Sequence, residues 1–350
     1  MRSNRYLFSS SLAQSPQEVH PVPNLPPKSG IRVPANELNH FVRELFRHAG
    51  MSEKDAGVMA DLLVLTDLRG VHSHGAQAAA GYIEMMRDGR VNPRPNVRVV
   101  SSTTTTRTYD GDGGMGHLPS WQAAEWVAHT AAAHGVAAAT TTNHFHFGGA
   151  GKYSRLALAH GCIGFATSSH RFYPKGHIGG AGGGSPFSFA VPAGERPPLV
   201  IDMAASFVPW EDDLIQRIPN SFFKEIGLAA VMYALGGVLC GIYRPDRIPP
   251  ESPWESNQGG FFAAFDVTAL GRGVDFTTEM DRYISECEGL DPFPGLDASH
   301  LPGGVEHELE QRYREEGIPV SDKYRQRLEK MGEEFGVEPL FSRHEHTRFG

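Results

Sequence analysis

Trp121-Gln-Ala-Ala-Glu-Trp-Val-Ala-His-Thr-Ala-Ala-Ala-His-Gly-Val-Ala-Ala-Ala-Thr-Thr-Thr142 changes character at Gly135. Before it the pattern predicts a helix over Trp121–His134; after it, a strand over Val136–Thr142. Glycine ends a helix readily because it tolerates positive φ. The same order follows at once, with a helix over Gly151–His160, a stop at Gly161 and a strand over Cys162–Thr167. Alternation of this kind predicts an α/β lobe.

Working outward, Phe187–Val191, Leu199–Met203 and Gly260–Asp266 read as further strands, and Phe222–Val238 as a strongly apolar helix. Toward the start, Leu38, Phe41, Val42, Leu45 and Phe46 form a helical stripe closed by Gly50. Ser52 with Asp55 reads as a cap opening a second helix toward Leu68. Short strands are expected at Val97–Val100 and Arg107–Tyr109. Beyond Asp275 helices return, among them Ser321–Phe335 with Tyr324, Leu328, Met331 and Phe335 on one face. The expectation is a helical lobe built from both chain ends, 31–118 with 270–340, enclosing a central α/β lobe at 119–269. Residues 1–30, rich in Ser and Pro, read as an N-terminal arm.

The composition narrows the function classes. The chain has 350 residues, 40% of them hydrophobic and 21% charged, and a net charge of −8. That balance fits a soluble protein and opposes nucleic-acid binding, which needs clustered Lys and Arg. No apolar run is expected to approach the ~20 residues of a membrane span, and no signal-peptide design opens the chain. Cys162, Cys240 and Cys287 are widely spaced, so free thiols are expected rather than a disulfide frame or metal site. These features point to a cytoplasmic protein with a small-molecule substrate, and with neither a nucleic-acid nor a membrane partner.

Two segments carry the chemistry: Asp67-Leu-Arg-Gly-Val-His-Ser-His-Gly75 and Asn143-His-Phe-His-Phe-Gly-Gly-Ala-Gly151. Each sets histidine beside glycine, where a ring can be held at a turn. Imidazole titrates near neutrality, so such a pair is suited to proton transfer. The first segment resembles the D-L-R-G-V-x-S-H-G signature of the type-2 malate/L-lactate dehydrogenase family. The second resembles its N-x-x-H-F-G-x-A-G-Y-Y, here ending Gly151-Lys152-Tyr153. Pro186–Pro192, Ile201–Ser206, Gly260–Asp266 and Leu301–Gly304 resemble further family motifs in the family's order. The likeness runs from about Ile31 to Val337.

The resemblance implies a non-Rossmann nucleotide-binding lobe, NADH or NADPH as cofactor, and a homodimer. Gly179–Gly184 agrees in lacking a G-x-G-x-x-G fingerprint. His74 and His146 take the places of the family's reaction-centre histidines, with Ser73 orienting His74. Ser185, Pro186, Asp202, Met203, Lys224 and Gly303 are expected at the cofactor. Arg69, Tyr82, His144, Lys152 and Arg171 are expected at the substrate. No metal is expected, because no Cys or carboxylate stands at ligand spacing beside the histidines.

Three departures separate this chain from the pattern. Ala78 stands where the family has a carboxylate-binding arginine, a bidentate contact that alanine cannot make. Glu225 replaces a glycine beside Lys224. The stretch from Ser206 to Lys224 is short by roughly thirty residues, a large change against ordinary loop lengths, and keeps the acidic Glu211-Asp212-Asp213. The expected activity is reduction of a C=O or cyclic C=N group in a specialised substrate bearing a carboxylate or amide. The alternatives are a relative without nicotinamide chemistry, running a non-redox acid–base reaction, and a silent binding subunit.

Overall fold

The computed structural model describes residues 26–182, 184–209 and 211–350. Most of the expected N-terminal arm, Gly183 and Trp210 lie outside the described residues. The elements run β1 (Ile31–Val33), α1 (Ala35–His48), α2 (Glu53–Leu68), α3 (Ala79–Arg87), β2 (Arg98–Ser102), β3 (Thr106–Asp110), α4 (His117–His134) and β4 (Val136–His144). They continue with α5 (Gly151–Ser154), β5 (Cys162–His170), β6 (Pro186–Val191), β7 (Leu199–Ala204), α6 (Asp212–Arg217), α7 (Pro219–Tyr233) and β8 (Gln258–Asp266). Last come α8 (Val267–Leu270), α9 (Phe276–Glu288), α10 (Gly304–Glu316), β9 (Ile318–Val320) and α11 (Asp322–Phe335).

Seven strands form one sheet in the order β2-β3-β4-β8-β5-β6-β7. Only β3 and β4 pair in parallel; the other neighbours are antiparallel. A Rossmann sheet is mostly parallel, so the lobe is α/β without that fold, as the resemblance implied. The last of these seven strands in sequence, β8, sits at the centre between β4 and β5. Glycine lets it in: a Cβ on Gly259 would press on the Gly236 and Thr141 carbonyls. One sheet face packs on α4 through Ala123, Val127, Ala131, Tyr153 and Phe262. The other packs on α7 through Phe165, Phe187, Ala229, Met232 and Ala263.

A separate core joins the two chain ends. Leu38, Phe41, Leu45, Leu63 and Ile83 pack with Leu309, Tyr313, Tyr324, Leu328 and Phe341. Strand β1 pairs antiparallel with β9 across that junction. Ser52 caps α2, its hydroxyl accepting from the Asp55 N–H at 3.1 Å. Strands β2 and β3, within the 31–118 segment, join the edge of the central sheet.

Two expectations need amending. The helix expected over Gly151–His160 is α-helical only to Ser154 and then tightens into a 3₁₀ turn over Arg155–His160. The apolar helix starts earlier than expected, at Pro219, and reaches the expected end at Val238 only through a π turn over Ala234–Val238. By length and composition alone, those 20 residues are enough to cross a membrane, with one-third of the apolar window buried.

Candidate active site

Asn143 is where β4 is bent toward the site. Its φ of +54° is left-handed, which asparagine tolerates better than most residues. The side chain holds that turn: Nδ2 donates to Asp110 Oδ1 at 2.8 Å, and Oδ1 accepts from Ser256 Oγ at 2.6 Å. The chain beyond it brings His146 to the wall of a cavity of about 970 Å³. His74 reaches the same wall from a 3₁₀ turn after α2, and the two rings lie 5.9 Å apart.

The turn that carries His74 is tied down by Asp67, which is fully buried. Its carboxylate accepts from the Ala76 N–H at 2.7 Å, meets His72 Nδ1 at 2.9 Å and accepts from the Tyr324 hydroxyl at 3.3 Å. Position 75 must be glycine here, since a Cβ would overlap that carboxylate. Ser73 Oγ lies 2.9 Å from His74 Nδ1, as expected of an orienting hydroxyl.

His146 is oriented from behind by Tyr82, whose hydroxyl is 2.8 Å from Nδ1. Burial pushes the Tyr82 phenol well above its ordinary range, so it stays protonated and donates. Nδ1 is then the acceptor, and Nε2 carries the hydrogen. Burial, with His74 and Lys152 nearby, drives His146 down to about 3. Burial and Lys152 also lower His74. Both rings are neutral at pH 7. His117, fully buried behind Tyr82 and His146, is likewise pushed well down and finds no partner for either ring nitrogen.

Of the sequence-derived site residues, Ser73, His74, His146, Arg69, Lys152, Ser185, Pro186, Asp202 and Met203 all line this one cavity. Asp202 reaches it from β7 and accepts from the Gly151 N–H at 2.9 Å. Gly303, at φ +99°, is pressed against Pro198 and Val200, and so seats the start of α10 on the cavity's rim. Tyr82, expected at the substrate, is instead off the cavity wall, with its hydroxyl bonded to His146 from behind. Arg69 is paired with Glu310 at 2.9 Å.

Three further placements correct the expectations. His144 is fully buried, with Nε2 2.8 Å from Thr141 Oγ1 and Nδ1 donating to the Phe145 carbonyl at 2.7 Å. Both nitrogens are spent inside the protein, so it does not face the substrate. Arg171 gives its guanidinium to the Ile242 carbonyl and does not line the cavity, so it does not replace the cation missing at Ala78. Lys224 is exposed on α7, also off the cavity wall. Its neighbour Glu225 turns inward, and Oε2 accepts from the Val208 N–H at 2.8 Å, closing the shortened segment rather than facing a ligand.

Sequence reasoning missed Arg155, which lines the cavity one turn beyond Lys152. The signal was available, since residues three apart share a helix face. Among the described residues, no group of three His, Cys, Asp or Glu is placed to hold a metal ion.

A family model described as "Malate/L-lactate dehydrogenase" matches residues 33–217 and 213–329. The chain belongs to that family and is an oxidoreductase. The two matched stretches meet at 213–217, where the sequence is short. Among individual relatives, the malate dehydrogenase of Pyrococcus horikoshii is 26% identical over 350 residues, covering 89% of this chain and 97% of the relative. Its solved structure superposes with a TM-score of 0.77 over 90% of this chain and 99% of that one. The L-sulfolactate dehydrogenase of Methanocaldococcus jannaschii is 25% identical over 339 residues, covering 87% of this chain and 97% of the relative. The ureidoglycolate dehydrogenase (NAD(+)) of Escherichia coli K12 is 23% identical over 333 residues, with 85% and 95% covered.

Proposed function

We propose that this protein is an NAD(P)H-dependent oxidoreductase that reduces a C=O or cyclic C=N group in a substrate bearing a carboxylate or amide. The observation that carries the reading is the convergence of His74 and His146, 5.9 Å apart, on the wall that also holds Ser185, Pro186, Asp202 and Met203. The cavity is of the size that small-molecule sites occupy. Its residues suit the nicotinamide end of a dinucleotide, with the Ser185–Pro186 turn and Met203 offering an apolar edge. When bound, the nicotinamide would supply hydride.

The chain's own residues manage the proton. His146 presents Nε2–H to the substrate's heteroatom and is held in that tautomer by Tyr82. His74 is the more accessible ring of the two, so it takes up a proton more readily. It delivers that proton as negative charge develops on the heteroatom, while Ser73 steadies its Nδ1. A neutral His146 donating a hydrogen bond and a His74 that cycles its proton divide the work that one imidazole would otherwise perform.

The homodimer expectation is part of this proposal. Along the outer face of α7 and its extension, Phe223, Val231, Val238 and Leu239 are each more than half exposed. A second copy of the chain would cover that stripe.

The test is loss of reduced nicotinamide absorbance across a panel of 2-oxo acids, 2-oxo amides and cyclic imine carboxylates. The best substrate is then given to His74→Ala and His146→Ala. Each substitution should cut turnover by about 10²- to 10⁴-fold. A double variant that keeps near-normal turnover would remove the histidines from the mechanism.

A further inference from the structure

Lys152 is held in an unusual way. Its side chain is 4% exposed, it lines the cavity, and its Nζ has no hydrogen-bond partner. An ammonium buried without a partner costs several kcal/mol, so a fold keeps one where a ligand will meet it. Arg155, three residues on, lines the same cavity and has no hydrogen bond or ion pair within 4 Å among the described residues, with Glu306, Glu310 and Asp202 acting on it from farther off. Every other cation on this wall is engaged or is a histidine: Arg69 is tied to Glu310. Position 78, by contrast, holds alanine packed against the helical core.

We propose that Lys152, on the cavity wall beside His74 and His146, holds the substrate's carboxylate, with Arg155 adding a second positive charge to the same cavity. This deepens the oxidoreductase reading by assigning the anion-binding end of the same cavity. The Lys152 ammonium, close enough to lower both His74 and His146, meets a carboxylate through a charge-assisted hydrogen bond. That contact leaves the neighbouring carbonyl or imine carbon near the histidine pair.

The surroundings of Lys152 add a second consequence. Burial outweighs the pull of Asp202 on β7 and Asp67 on α2, and Arg69 works in the same direction as burial, so Lys152 is lowered to about 7. His74, His117 on α4 and His146 face it as further titratable groups; burial lowers each of them, and Lys152 adds to that lowering. Arg155 is lowered to about 10, chiefly by burial, and stays charged at neutrality. Above pH 7, therefore, the free amine is largely neutral, and a bound carboxylate restores its charge. Substrate binding draws a proton from solvent.

The experiment is calorimetric titration of the full chain with oxamate, a carboxylate–amide that accepts no hydride, with and without NADH. Buffers of different ionisation enthalpy report protons taken up. At pH 8 the expected result is saturable binding with uptake approaching one proton, falling toward zero at pH 6. Lys152→Met should weaken binding at least tenfold and abolish uptake. Lys152→Arg, which keeps a fixed charge, should bind while taking up no proton, an outcome a merely structural lysine would not produce. Arg155→Leu should weaken binding several-fold and leave uptake intact. The proposal is overturned by the absence of oxamate binding, by binding without uptake at pH 8, or by unchanged affinity in Lys152→Met. Displacement of oxamate by ADP-ribose would assign the cations to nucleotide phosphates and overturn it equally. Oxamate binding by a protein that ignores NADH would instead leave the anion site standing and count against the nicotinamide reading.

Discussion

Asp67→Ala removes a single buried carboxylate on which three donors converge: the Ala76 N–H at 2.7 Å, His72 Nδ1 at 2.9 Å and the Tyr324 hydroxyl at 3.3 Å. Alanine accepts from none of them. A hydrogen bond to a charged group contributes about 1.5–3 kcal/mol, and these three are not additive because they share one acceptor. The expected loss is about 3–5 kcal/mol, the range for breaking a buried charged network. Equilibrium urea unfolding followed by circular dichroism reads it. With a slope of about 3 kcal/mol/M, the midpoint should fall by about 1–1.7 M. Tyr324→Phe is the internal scale: it deletes only the longest of the three contacts and should cost about 1 kcal/mol. An Asp67→Ala variant within about 1 kcal/mol of the parent would refute the reasoning, because the carboxylate would then not be what fixes the His74 turn.

Tyr82→Phe should release the tautomer of His146: nitrogen-15 spectra should show Nε2–H alone in the parent and a mixture in the variant, whereas Nδ1–H in the parent would contradict the assigned donor. Stability should fall with acid, since His144 and His146 are held at about 4 and about 3 when folded, against 6.5 when exposed. The unfolded chain binds more protons over that interval, so their contribution is complete above pH 6.5 and is lost as pH drops toward 4 and 3. From pH 7 to 5 the two rings together remove about 4 kcal/mol, at 1.36 kcal/mol per unit. A urea midpoint flat over that range would show that these rings are not buried neutral.

What could be read from the sequence was what local spacing controls. The glycine stops at 135 and 161, the Ser52 cap and the stripe over Leu38–Phe46 each depend on residues within one or two turns, and each is present. The placement of β8 between β4 and β5 is different in kind. Its pairing with residues about a hundred positions away depends on Gly259 and Gly260 fitting against Thr141, which no periodicity reveals. The site shows the same division. Matching motifs located His74, His146, Asp202 and Lys152 because short segments fix them. Lys224, Arg171 and His144 matched or suggested a role by residue type, but type does not say which way a side chain points. His144 turns inward where the left-handed Asn143 shifts the register of β4 against β8. Glu225 reads as a charge beside a phosphate in sequence, but in the fold it is a brace for Val208. Arg155 went unnoticed because its signal is a relation to Lys152 rather than a motif.

The account rests on a nicotinamide reaching the cavity beside His74 and His146 despite the shortened segment after Ser206. Titrating the full chain with NADH and with NADPH, followed by calorimetry and by nicotinamide fluorescence, tests this without knowledge of the substrate. The account predicts saturable binding of at least one nucleotide, with blue-shifted nicotinamide emission as the ring leaves water. It also predicts that a bulky replacement on the wall, Met203→Trp, weakens that binding by about tenfold, or 1.4 kcal/mol. Folded protein that binds neither nucleotide at millimolar concentration would contradict it.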